Sequence, residues 1–514
     1  MPYSPSVITG FGGLNLQSNP ELVGDFEALD MLNCRPHHGG LITRGGYEQH
    51  TSSELTNRGG TVYPYYESDG TNQLLVGCGT RLEAVNTAGA VVASATGLTD
   101  ATWRFVRFAA PGSEVAYAGN GNDTLRKWDG ASWTAPTATV DGVGALAMPK
   151  AGLLAIMPIS NRLVASGFAT TTGGPNGSAT NPSTVVFSDQ GAPETWQVTS
   201  NPPVSYQNTL QLTPGDGEKI TAMVAWRDSV FVFKQSKFFV LYGETIQANG
   251  GPVFNYRIVD AGVGCVGANA ACAGLDGVYF LNRQGIYRTT GGEPEKVSKA
   301  IDPTFTKQAS FGSPQYSSLV YLRQQYETGV ALTWHRDCLY AAIPAQGAAY
   351  NTNALVHNPA EGWWTIYTLP AAGLCSWKVD SNLPERLAFS YSTGLKHIGS
   401  HWDFPSTDAG ASFSARWRGK WSDYGSQAVK SMREVKVWGF GTAAFQVQSD
   451  FVGSGADSNV TFSAGLEPRA DIVRVAKRGT FFSIEVTNVS GSQFHINRMV
   501  PHLRDERVAS VKSS

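Results

Sequence analysis

The most regular patterning in the chain lies between Ile220 and Ile301, where short apolar runs alternate with polar, glycine-bearing turns. ITAMVAWRDSVFVFKQSKFFVLYGE holds an alternating run at Val230 and Val232, a Lys-Gln-Ser-Lys turn at 234–237, and a second apolar run from Phe238 to Tyr242. Period two on both sides of a polar tetrad predicts a hairpin. CAGLDGVYFLNRQGIYRTTGGEPEKVSKAID repeats the arrangement, with turns at Asp276-Gly277, Arg283-Gln284-Gly285 and Gly291-Gly292. Four short strands of this kind make one small antiparallel sheet. Such a sheet buries too little apolar surface to stand alone, so the pattern calls for further copies stacked beside it.

Copies recur along the chain. LLVGCGTRLEAVN (74–86) with AVVASAT (90–96) reads as one sheet. WRFVRF (103–108), EVAYAGNGNDTLRKW (114–128) and the turn Asp129-Gly130 before Trp133 read as a second. NRLVASGF (161–168) with STVVFSDQGAPETWQV (183–198) makes a third, and the opening stretch supplies the fourth and fifth. A sixth follows in GVALTWHRDCLYAAIP (329–344), ALVHNPAEGWWTIY (354–367) and LAFSYSTGLKHIG (387–399). A spacing of roughly 50 residues is that of kelch-type propeller blades. The prediction is therefore an all-β fold, with a β-propeller of about six blades, give or take one, over residues 61–405.

The two ends break the rhythm. Residues 1–60 read as an N-terminal arm. Asn19-Pro20-Glu21 has the cap and first-turn proline of a short helix, continued by Phe26, Leu29 and Leu32 at spacing three, and glycine pairs bracket a strand at 41–44. After Asp403-Phe404-Pro405, the pairs Val435/Val437, Phe445/Val447, Phe482/Ile484/Val486 and Phe494/Ile496 alternate at period two, which predicts a separate C-terminal β-sandwich over 410–514. Inside the propeller, ATTTGGPNGSATN (169–181) is too polar and glycine-rich to pack. The aromatic stretch 305–328, with Phe311, Tyr316, Tyr321 and Tyr326, reads either as an insertion that meets a neighbour or as filling beside the propeller.

Composition agrees with many strands and turns: of 514 residues only 16% are charged, 57 are glycine and 11% are aromatic. The formal net charge of −2 conceals an asymmetry, because residues 411–514 hold 14 Lys and Arg against 9 Asp and Glu, leaving the rest acidic by seven. Neither part is basic enough for tight nucleic-acid binding. Cys34, Cys78, Cys265, Cys272, Cys338 and Cys375 show no paired spacing, which predicts buried, reduced thiols rather than zinc ligands or a disulfide framework. The N-terminus lacks the pattern of a signal peptide, and no apolar run is long enough for a membrane-spanning helix.

Candidate chemistry is sparse. SDQGAPETW (188–196) is similar to the Asp-box turn of sialidases, but Ser188 and Asp189 are adjacent, one residue is added before Trp196, and a single copy occurs. GNGND (119–123) matches half of a calcium-binding repeat that needs stacked copies; alone it reads as a tight turn. His37-His38 reads as a solvated turn, and Trp363, Trp364, Trp417 and Trp421 as core rather than as a sugar-stacking platform. No G-x-S-x-G, P-loop or H-E-x-x-H motif occurs. The expectation is a non-enzyme with no catalytic, cofactor-binding or metal residues.

GGLNL (12–16), FEALDMLNCR (26–35), GGLITRGGY (39–47), SDQGAPETW, DGEKITAMVAWRDSVFVFK (216–234) and GVYFLNRQGIYRTTGGEPEKVSKAID (277–302) together, in this order, resemble the tail nozzle, or tail tubular protein B, family of short-tailed bacteriophages. The resemblance implies a structural virion protein in the phage tail, assembled in the host cytoplasm. Six copies would form a ring below the portal and adaptor, carry tail fibres or spikes, and enclose a channel through which DNA leaves without specific binding. The alternative on the same propeller is a host-recognition protein that binds or cleaves carbohydrate.

Overall fold

The computed structural model describes residues 8, 10–17, 21–100, 102–110, 113–140, 144–168, 182–196, 208–246, 252–307, 319–380, 382–392, 397–401, 405–450, 458–462 and 469–506. The hairpin rhythm becomes a ring of antiparallel sheets. Six four-stranded sheets stand as separate blades, in keeping with an all-β propeller of about six. Four of them are continuous in sequence with their predicted segments: blade one (62–95), blade two (104–134), blade four (222–259) and blade five (271–296). Blade three runs over 153–211.

The last predicted copy divides in two. The strands Ala331–His335, Cys338–Pro344, Asn351–Asn358 and Trp363–Tyr367 form one meander, blade six, which continues into the C-terminal sheet. Ala371–Trp377, Arg386–Tyr391 and Ile398–His401 form blade seven, whose outermost strand is Tyr47–Gln49 from the N-terminal arm. The chain thus closes its own ring: Gly399, Ser400 and His401 pair with Gln49, Glu48 and Tyr47. The innermost strand of blade seven then packs on that of blade one.

Apolar clusters fill the seams between blades: several seams have one of their own, while blades four to six share one with the C-terminal unit. Val62, Leu74 and Val76 meet Cys375, Trp377 and Ala388 between blades one and seven. Leu75, Leu82 and Ala84 meet Trp103, Phe105 and Trp128 between blades one and two. Trp103, Trp128, Trp196 and Trp377 are all fully buried at such seams. A large apolar side chain removed from water there contributes about 1.5–3 kcal/mol. This explains the aromatic-rich composition: large side chains fill the faces between blades.

The arm differs from the sequence reading. Residues 21–26 are turns, and Ala28–Leu32 is a strand, not the continuation of a helix. It is wedged between two partners, antiparallel to Arg416–Gly419 and parallel to Trp363–Tyr367 through Leu32 and Ile366. Ala28, Leu29 and Met31 are completely buried. A strand covered on both faces carries an apolar run with no alternation, which is why spacing three among its apolar residues imitates a helix.

The C-terminal residues form the expected second β unit, but not a separate one. Its axis is the strand Lys430–Ser449, 20 residues long. The first half is flanked by Arg469–Gly479 and Phe494–Asp505, the second by Ser458–Phe462 and Phe482–Asn488. The strand bends at Gly439 and Gly441. Gly441 has φ +84°, and a Cβ there would lie 2.1 Å from the Gln493 carbonyl oxygen, so only glycine fits. Met432, Val435, Phe445, Ile484 and Ile496 share one apolar cluster with Leu29, Trp364 and Phe280, so this unit and the propeller have a common core. Phe305 and Leu322 are buried in the same cluster, which makes the described part of 305–328 filling beside the blades; Phe311 and Tyr316 lie outside the described residues. So does the whole of 169–181.

Candidate functional site in the axial channel

The motifs singled out in the sequence resolve into turns and core. The Ser188 hydroxyl accepts the Leu163 N–H at 2.9 Å and donates to the Asp189 carbonyl at 3.1 Å, while the backbones of Asp189, Ala192 and Thr195 bond to one another and Trp196 is buried. SDQGAPETW is a hairpin closure. In GNGND, Asn120 Oδ1 accepts the Asn122 and Asp123 N–H groups, and Asp123 accepts the Thr99 N–H at 2.7 Å, so its carboxylate ties one turn to another. His37 and His38 lie at the turn between Cys34–His37 and Gly40–Thr43, with ring centroids 4.2 Å apart. Trp363, Trp364, Trp417 and Trp421 are core. All six cysteines are free, five of them buried, and burial pushes the Cys265 thiol up to about 12 and Cys338 up to about 11. No group of three metal-ligating side chains occurs among the described residues.

Among the concave features of the described residues, three lie along the axis where the innermost strands converge. Glycine lets the walls approach there. A Cβ on Gly119 would lie 2.2 Å from the Ala151 carbonyl oxygen across the seam of blades two and three, and one on Gly373 would lie 2.4 Å from the Gly60 carbonyl oxygen across the seam of blades seven and one. The mouth is a void of about 750 Å³ bordered by Asn57, Gly59, Gly77, Thr102 and Gly329. A second, of about 350 Å³, lies against blades two to five and includes Gly121, Gly152 and Gly267.

Adjoining the larger void, a cavity of about 310 Å³ is walled by the innermost strands of blades one, two, five, six and seven. Arg104, first residue of the innermost strand of blade two, donates from Nη1 to Asn269 Oδ1, which stands just before blade five. Asn269 in turn donates from Nδ2 to Thr61 Oγ1 at 3.0 Å, and its carbonyl accepts the Leu332 N–H at 2.8 Å. One asparagine thus links blades one, two and six across the axis. Burial lowers the Arg104 pKa to about 10, which leaves the group cationic at neutral pH.

On the other side of this cavity Ser376 donates to Glu385 Oε2 at 2.9 Å and lies 2.8 Å from Nδ1 of the buried His335. Serine, imidazole and carboxylate are brought together, but serine occupies the middle. In a charge-relay arrangement the imidazole stands there, oriented by the carboxylate and facing the hydroxyl. Here the three join the innermost strands of blades six and seven.

Sequence reasoning passed over Arg104, Asn269 and the Ser376 group. WRFVRF was legible as a strand, but which of its arginines faces the axis depends on the ring, and no local signal marks Asn269 as its partner.

No family model and no curated protein matches the chain. Among solved structures it is similar to BBS1N in complex with ARL6DN, with TM-score 0.39 and 9% identity over 70% of this chain and 99% of that one. It is similar to a streptogramin B lyase, with TM-score 0.36 and 10% identity over 70% and 98%. A third likeness is to the Dos1 propeller, with TM-score 0.38 and 9% identity over 78% of this chain and 94% of that one. At these values the likenesses carry no functional argument, and the propeller assignment rests on the strand order itself.

Proposed function

We propose that this propeller is a structural subunit of a phage tail nozzle: a ring of six copies below the adaptor that carries fibres and surrounds the exit path of DNA. The observation that carries the reading furthest is the rim of blade four. Its two outer strands, Phe238–Ile246 and Pro252–Val259, form the longest hairpin of the propeller. The outermost strand is a sheet edge that exposes Val253, Tyr256 and Ile258, with Tyr242 exposed beside it. A long apolar edge invites pairing with another chain unless something covers it. A subunit of a closed ring needs such a lateral surface, because only a heterologous contact repeated to closure leaves a central hole. The basic C-terminal unit and the acidic remainder favour one orientation between neighbours or against the adaptor.

The reading includes no hydrolytic role. It is tested by placing charge on the edge, as Tyr256→Asp with Ile258→Asp. The expected result is a subunit with wild-type circular dichroism that no longer enters assembled tails. Tails that assemble at the wild-type level with the doubly substituted subunit would remove the blade-four edge from the contact.

A further inference from the structure

Several buried cations of this fold have a carboxylate against them, while Lys430 is held by backbone carbonyls. Arg44 meets Asp408 at 2.6 Å, Arg162 meets Glu244 at 2.6 Å, and Lys234 meets Asp216 at 2.8 Å; Arg418 is likewise paired with Glu485. Arg104 is different. Its described hydrogen-bond partner is the neutral amide oxygen of Asn269, and no described carboxylate lies within ion-pair distance of it. Asn269 is fixed by Thr61 and Leu332 and cannot supply charge. A guanidinium carries five donors in a planar fork. Arg104 is half-buried; a partly desolvated cation without a counterion is costly, and an anion that reaches it recovers part of that cost.

The cavity beside Arg104 is suited to a particular kind of anion. At about 310 Å³ it reaches the size at which small-molecule sites begin. Val62, Phe105, Leu332, Trp334 and Leu374 supply the apolar part of its wall, polar groups such as Thr61, Asn269 and Ser376 supply the rest, and Arg104 is the charged residue among its lining. It shares Thr61 and Asn269 with the wider void at the mouth of the channel, which gives a ligand a way in.

We propose that the axial cavity binds a small organic carboxylate with an apolar body, the carboxylate lying on the edge of the Arg104 guanidinium that Asn269 leaves open and the body packing among Val62, Phe105, Leu332 and Trp334. The geometry is that of a bidentate arginine–carboxylate pair with an apolar sleeve. The site belongs to the single chain and stands or falls independently of the ring.

Calorimetric titration of the full-length protein with sodium benzoate, at neutral pH and low chloride, tests it. Sodium phosphate serves as an anion with no apolar body, and benzyl alcohol as the apolar body with no charge. The expected result is saturable binding of one benzoate per chain, weaker binding of phosphate and none of benzyl alcohol. Arg104→Lys keeps the charge but loses the fork, and should weaken benzoate binding at least about tenfold, equivalent to about 1.4 kcal/mol. Arg104→Met should abolish it; should that variant not fold, the wild-type and Arg104→Lys titrations decide. Absence of saturable benzoate binding up to about 10 mM would overturn the proposal. So would equal affinity for benzyl alcohol or phosphate, or an Arg104→Lys variant that binds as the wild type does.

Discussion

Replacing Asp408 by alanine should loosen the N-terminal arm far more than a typical loss of one ion pair. Arg44 follows the strand Gly40–Thr43 and its side chain is 1% exposed. Its Nη1 donates to Asp408 Oδ1 at 2.8 Å and Nη2 to Oδ2 at 2.6 Å; Nε donates to Asn33 Oδ1 at 2.8 Å, and the guanidinium lies 4.1 Å over the Phe413 ring. Asn33 bonds to Thr368 and to the Ser414 carbonyl, so one buried cluster fastens the arm to the end of blade six and to the start of the C-terminal unit. Two charge-assisted hydrogen bonds are lost, each worth about 1.5–3 kcal/mol, and the guanidinium remains buried without a counterion. Removing one member of a buried pair in this way costs about 3–5 kcal/mol. The exposed pair Lys378–Glu385, at 3.8 Å, serves as the control, and breaking it by Lys378→Ala should cost no more than about 1 kcal/mol. Hydrogen exchange followed by mass spectrometry over residues 40–50 reads the local opening directly. The expected result for Asp408→Ala is roughly a hundredfold or greater loss of protection there, since every 1.4 kcal/mol is about a factor of ten. Double replacement with Arg44→Met should restore part of it, because a dry apolar cluster is less costly than a stranded charge. Protection within about threefold of wild type for Asp408→Ala, or the same loss in Lys378→Ala, would refute the clamp.

Three further outcomes are expected. In blade four the fully buried Lys234 donates to Asp216, Ser183 and Thr213, so Asp216→Asn, which strands the ammonium, should destabilise by about 3–5 kcal/mol, and Lys234→Met by less, because Asp216 is near enough to the surface to be rehydrated; denaturant titration of both variants checks the order. Burial, outweighing the hydrogen bond to the Trp363 carbonyl, lowers the His357 pKa to about 4. The unfolded chain therefore binds a proton near pH 6.5 that the folded chain refuses until about 4, so this contribution is complete above about 6.5 and is lost as pH falls to about 4; the slope in a stability–pH profile should flatten in His357→Gln. Trp364→Ala should cost about 3–5 kcal/mol, as a cavity in a shared core, and a variant with wild-type melting behaviour would contradict that placement.

Much of the propeller was legible because each blade is built from neighbouring hairpins, and a hairpin writes its period and its turn into a few consecutive residues. Blade four follows the run Val230–Tyr242 almost residue for residue. What was not legible is what the chain does over long separations. Tyr47–Gln49 closes blade seven against Ile398–His401, about 350 residues away, and a three-residue strand with no alternation gives no sign of its partner. For the same reason blades six and seven read as one copy: without the arm, the second has only three strands. Ala28–Leu32 read as helix because burial on both faces erases period two. The candidate site was the least legible part, since Arg104 gains its meaning only when the ring places Asn269 opposite it.

We propose that the chain works as one subunit of a closed ring around a tail axis. Electron cryomicroscopy of the intact particle, with the chain fitted into the tail density, tests this most directly. The prediction is six copies side by side around an open channel, each contributing the Pro252–Val259 edge of blade four to its neighbour. A single copy on the axis, or trimeric spikes around the periphery, would contradict it.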